Sequence, residues 1–185
     1  MTPSSSLLFI FFFFLSFSTH AQTLIHGTCK LCSQQDPGVD YQFCATSLQA
    51  APGSHHANIR GLGKISIRLT KKNMTDTRFY IRRLLNNYGV NLSTYARMRL
   101  NDCLELYSDS ITDIKSAFRN YKASRFDEAN LLLSAVMEAA NTCENGFKEM
   151  DNIVSPLTKR NDATFDLSAI ALAIIHILQV GINSP

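Results

Sequence analysis

Residues 100–147 read LNDCLELYSDSITDIKSAFRNYKASRFDEANLLLSAVMEAANTCENGF, and the apolar spacing in this stretch decides the fold. Leu100, Cys103, Tyr107, Ile111, Ile114, Phe118 and Tyr121 advance in steps of three and four, which puts them on one stripe of an α-helix. Phe126, Ala129, Leu133, Val136, Ala140, Cys143 and Phe147 form a second such stripe, with Asp127 and Glu128 in the first turn, where negative charge suits the helix dipole. The few residues between Tyr121 and Phe126 force the two helices to run antiparallel. The midpoint of positions 103 and 143 falls in that turn, so Cys103 and Cys143 stand at equal height on facing helices, and a disulfide between them is predicted.

The same construction extends towards the amino end. Asp36-Pro37-Gly38 is a turn signal between short helical stretches around Ile25 to Ser33 and Tyr41 to Ala50. Its position favours a Cys29–Cys44 bridge, but Cys32 lies one turn along the same face and competes for the partner. Ser54 is expected to cap a long helix carrying Ile59, Leu62, Ile65 and Leu69, with a weak point near Asn73 and an end at Tyr88-Gly89-Val90-Asn91. Leu167 to Val180 is apolar nearly all round apart from His176, as suits an inner element of a bundle. The polar Asn183-Ser184-Pro185 that follows argues against a membrane tail. The expected architecture is all-α, a four-helix up-and-down bundle over 54–180 preceded by a short N-terminal helical hairpin over 22–53, with 181–185 as a C-terminal tail.

Leu7 to Phe17 is an eleven-residue apolar run, too short to span a bilayer, and it leads to Thr19-His20-Ala21, which resembles a cleavage site. Residues 1–21 therefore read as a signal peptide. The mature chain, about 164 residues, is one domain in size, and it is expected to be secreted. In that oxidising setting five cysteines form two bridges and leave one unpaired. The sequons Asn73-Met74-Thr75 and Asn91-Leu92-Ser93 become candidate glycan acceptors.

Charge is uneven: residues 22–99 carry 11 basic against 3 acidic side chains, residues 100–185 carry 7 against 12. Arg60, Lys64, Arg68 and Lys71 or Lys72 follow a near i, i+4 stripe, with Arg78, Arg82 and Arg83 beyond. A solvated face is the plain reading; an acidic polysaccharide is the functional one, and in a secretory compartment nucleic acid is not the expected partner. Catalytic patterns are poor. HExxH, GxSxG and GxxxxGK[ST] do not occur, and His55-His56 would point apart on a helix, so neither metal nor cofactor is expected. Cys29-Lys30-Leu31-Cys32 spells CxxC without the βαβ context that redox exchange would need. Asp102, Glu105, Asp109 and Asp113 fall on the polar side of an amphipathic helix, where no cleft is expected, so an enzyme is not the reading.

Thr28-Cys29, Tyr41, Phe43-Cys44 and Ser47-Leu48, then Asp102-Cys103, Tyr107 and Thr142-Cys143-Glu144 with Phe147, resemble the plant invertase and pectin methylesterase inhibitor family across nearly the whole mature chain. The resemblance implies a hairpin plus four-helix bundle, and it implies the pairs Cys29–Cys44 and Cys103–Cys143, with Cys32 outside the family pattern. It also implies a one-to-one complex with an enzyme, a plant acid invertase by preference or a pectin methylesterase. Invertase inhibitors of the family insert a Pro-Lys-Phe tripeptide into the sucrose-cleaving site, and Ser124-Arg125-Phe126 stand at the matching positions here. Charge and aromatic are kept and the stiffening proline is not. The plainer alternative has Ser124 as N-cap, Arg125 solvated and Phe126 as first core residue of its helix.

Overall fold

The computed structural model describes residues 23–87, 91–151 and 153–183. The expected signal peptide over 1–21, the expected helix end at Tyr88-Gly89-Val90, Asn152 and the terminal Ser184-Pro185 lie outside the described residues. Among the described residues six helices follow in chain order: α1 over 23–35, α2 Tyr41–Ala50, α3 Ile59–Asn86, α4 Thr94–Lys122, α5 Phe126–Lys148 and α6 Thr158–Asn183, with a 3-10 turn, Ser54–His56, before α3. Among the described residues there is no strand.

Local chemistry sets the breaks. Asp36 accepts from the Gly38 amide at 2.8 Å and closes the turn between α1 and α2. Asp40, Asn58 and Ser93 cap α2, α3 and α4 by accepting from Phe43, Gly61 and Ala96 amides. The expected Ser54 cap is corrected. Gly53 at φ 80° throws the chain into the 3-10 turn, and Ala57 returns it to extended backbone, so Asn58 does the capping and the Ser54 hydroxyl is buried with no partner.

α3, α4, α5 and α6 pack in cyclic order, each on two neighbours and antiparallel to them, an up-and-down four-helix bundle. One core cluster fills the bundle with Tyr107, Ile111, Ile114, Leu133, Val136 and Phe147; Phe118 of the expected stripe is only half-buried, and Ala117 takes the inward place. A second cluster joins the hairpin to the bundle through Ile25, Leu48, Leu62, Ile170 and Ile174. α6 borders both, which explains a sequence apolar nearly all round. It is the one helix among the described residues long and apolar enough to cross a membrane, and half of that stretch is buried inside the protein. It begins at Thr158, nine residues before the expected start, because a polar first half packs by hydrogen bonding.

The cysteines staple these parts. Cys29 joins Cys44 across the hairpin, and Cys103 joins Cys143 across α4 and α5. Closing these loops contributes on the order of 3–4 kcal/mol each in the chain-entropy account. Cys32 is free and fully buried, and burial pushes its thiol up to about 12, far from the thiolate that exchange chemistry requires.

α3 runs unbroken through Asn73, against the expected weak point. Thr70, Thr75 and Thr77 return their hydroxyls to carbonyls four residues back, and Asn73 donates from Nδ2 to the Arg160 carbonyl at 2.9 Å and to Thr164 Oγ1 at 2.7 Å on α6. Tyr107 Oη donates to Asn161 Oδ1 at 2.8 Å, and Asn161 and Thr158 both donate to the buried Glu144 carboxylate. This chain of polar groups ties all four bundle helices together. Burial raises the Tyr107 phenol to about 12. The two sequons differ in their surroundings: Nδ2 of Asn73 is engaged between α3 and α6, whereas Asn91 is exposed ahead of α4.

Candidate functional site

Ser124, Arg125 and Phe126 occupy the tight turn from α4 to α5 at one end of the bundle. Three amides close it: Ala123 N donates to Arg119 O, Ser124 N to Tyr121 O and Arg125 N to Asn120 O. The last two are the paired bonds that end a helix with a left-handed residue. That residue is Ser124, at φ 61°, the one non-glycine with positive φ among the described residues. With Ser124 committed to the turn, Arg125 takes the N-cap position and has no side-chain cap bond, so the plainer reading of Ser124 as N-cap does not stand.

The first turn of α3 clamps this corner. Arg60 donates from Nη1 to Ser124 Oγ at 2.9 Å, and its guanidinium lies 5.4 Å from the centre of the Phe126 ring. Its carbonyl accepts from Tyr121 Oη at 3.0 Å, and Tyr121 meets Phe126 edge to face at 5.6 Å. Space for Tyr121 comes from Gly63, where a Cβ would stand 2.7 Å from the ring's Cζ atom. Burial raises the Tyr121 phenol far above its ordinary value, against the opposing pull of the Arg60 charge. Phe126 is 6% exposed. It is the inner pin of the turn and cannot at the same time fill a pocket in another protein.

Arg125 faces outward. Its Nε and Nη2 both donate to Asn120 Oδ1, at 3.0 and 2.7 Å, which fixes the stem and leaves the remaining N–H groups to solvent. With exposed Lys122 beside it, the corner presents cations on a short, rigid loop, suited to meeting carboxylates. The clamp itself was missed in the sequence. Its one signal was Gly61-Leu62-Gly63 inside a helix, since glycines there weaken a helix unless close packing requires them.

The carboxylates read from the sequence gather elsewhere. Asp102, Glu105 and Asp109 of α4 and Glu138 of α5 line an open groove of about 660 Å³, with Arg99 paired to Asp102 at 3.2 Å at one end; Asp113 is not part of it. His55 and His56 are exposed in the 3-10 turn, and among the described residues no cluster of three or more His, Cys, Asp or Glu could hold a metal ion.

A family model described as plant invertase/pectin methylesterase inhibitor matches residues 23–174. The chain is 38% identical over 172 residues to a Platanus acerifolia protein provisionally named an invertase inhibitor, covering 91% of this chain and 94% of that one. It is 31% identical to pectinesterase inhibitor 12 of Arabidopsis thaliana, covering 92% and 97%. A crystal structure of a mutant pectin methylesterase inhibitor from Arabidopsis superposes with a TM-score of 0.64 at 21% identity, over 74% of this chain and 89% of that one, a likeness of fold.

Proposed function

The chain belongs to the plant invertase/pectin methylesterase inhibitor family, and from that premise we propose that it is a secreted inhibitor closing the active site of a plant acid invertase in a one-to-one complex. It performs no reaction of its own. The similarity to an invertase inhibitor over almost its full length supports this target. On the protein's side, one observation carries the reading: Arg125 stands exposed on a turn that Ser124, Arg60 and Phe126 hold in a single geometry. A guanidinium presented this way loses little freedom on meeting the catalytic carboxylates of a sugar-cleaving enzyme. In this proposal Ser124 and Arg125 touch the target and Phe126 supports them from inside. Residues 1–21 are removed on secretion, 22–180 form the inhibitor domain, and Asn91 is the glycan acceptor.

Two other partners have support. The 31% identity to a pectinesterase inhibitor favours a pectin methylesterase covered by a broad face of the bundle. The unpaired basic side chains of α3 favour an acidic wall polysaccharide.

Arg125→Glu tests the first reading. Reversal of one charge in a close contact with carboxylates is expected to weaken invertase inhibition by at least about tenfold, with an unchanged melting temperature because the side chain is exposed. Inhibition at the wild-type level rejects the turn as the contact.

A further inference from the structure

The basic residues of α3 divide into two groups with different surroundings. Near its start, Arg60 is committed to Ser124 and Phe126. Further along, Arg68, Lys71, Lys72, Arg82 and Arg83 are exposed on one face, all within about 80° of Phe79 at 3.6 residues per turn. The stripe from Arg68 to Arg83 is roughly 22 Å long at 1.5 Å per residue. Asp76 is its one acid, and it is held by Lys72 at 2.6 Å.

Phe79, in the middle of this charged face, is 56% exposed. The Arg78 guanidinium lies 5.5 Å from its ring centre. Beside it, the Tyr80 ring lies between Arg83 at 5.3 Å and Arg160 of α6 at 4.4 Å. Among the described residues, no carboxylate is within ion-pair distance of Arg78, Arg82, Arg83 or Arg160. Stacking uses the face of a guanidinium and leaves its N–H edge open, the edge that takes a carboxylate through two parallel bonds. Arg78 stacks on the exposed Phe79, and Arg83 and Arg160 stack on the half-buried Tyr80 next to it, so cations without a counter-charge gather beside a wet aromatic ring, an arrangement in which like charges repel and folding gains little.

We propose that the α3 stripe from Arg68 to Arg83, with Arg160, binds an acidic polysaccharide of repeating uronic acid units, Phe79 stacking on a sugar face while Arg82 and Arg83 hold carboxylates. A uronic acid polymer repeats an apolar ring face beside a carboxylate at every unit, which is the pairing that this stripe offers in reverse. An acidic peptide has the charge without the ring face. The inference rests on the polysaccharide reading of α3 and is independent of the inhibitory turn, which lies beyond the other end of that helix.

Calorimetric titration of the oxidised mature protein with an oligogalacturonate, its methyl ester and polyglutamate tests it. The oligogalacturonate is expected to bind and to weaken about tenfold between low and physiological salt, with the ester silent and polyglutamate weaker. Phe79→Ala is expected to lower oligogalacturonate affinity about five- to tenfold and to leave polyglutamate binding and enzyme inhibition as they were. Arg82→Glu with Arg83→Glu abolishes binding of both polyanions. Equal affinity for polyglutamate, or no effect of Phe79→Ala, overturns the site. No binding of oligogalacturonate by the wild-type protein overturns the polysaccharide reading with it, and neither result touches the inhibitor reading.

Discussion

Ser124 adopts a left-handed conformation that costs a non-glycine residue about 1 kcal/mol, and it does so at the corner proposed to meet the target. Ser124→Gly removes that cost and loses only an exposed hydrogen bond to Arg60. The melting temperature is expected to rise by about 2–4 °C in thermal unfolding, and a fall would show that the Arg60 bond outweighs the strain. Asp166 carries a second residue-scale effect. Burial, with Asp162 and Asp40 nearby, raises its carboxyl above the ordinary aspartate range. The folded state therefore holds this proton more tightly than the unfolded chain, so the stability it contributes is complete below the ordinary range and lost as pH rises through the raised value. Asp166→Asn is expected to stabilise the protein at neutral pH and to lose that advantage in strong acid, as melting curves across pH would show; a gain independent of pH would contradict the account. Neither residue was legible in this role beforehand. A positive φ at serine and a carboxyl on a partly buried face depend on neighbours from other helices, which periodicity does not report.

Helices were the legible level. The two stripes between Leu100 and Phe147 fall within α4 and α5, and apart from Phe118 their residues are buried, because seven positions at a helical period leave one face to bury. Legibility failed where polar groups decide. Ser54 and Asn58 are both competent caps, and only the backbone at Gly53 selects between them. Thr158 to Asp166 has weak apolar spacing, yet it is helical because Thr158, Asn161 and Thr164 bond to Glu144, Tyr107 and Asn73. Asn73→Ala leaves part of that network unpaired, with an expected cost of about 1–3 kcal/mol in denaturant unfolding, and a neutral result would contradict the buried network. Peptide mapping of the secreted protein is expected to find no glycan at Asn73.

At the scale of the molecule, two surfaces separate along the bundle: a clamped, cationic corner between α4 and α5, and a basic aromatic stripe along α3. The bundle itself follows from its stripes and cysteine spacing. The choice of target does not, because the tripeptide pattern that would report it keeps its charge at Arg125, lacks its proline and buries its aromatic at Phe126. Packing of Phe126 under Arg60 and beside Tyr121 could be seen only with α3 and α4 in place. The central claim is inhibition of an acid invertase. The most direct measurement is a parallel titration of the oxidised protein against a plant acid invertase and a plant pectin methylesterase at acidic pH. The account predicts stoichiometric loss of invertase activity with the esterase unaffected; inhibition of the esterase alone, or of neither enzyme, would contradict it.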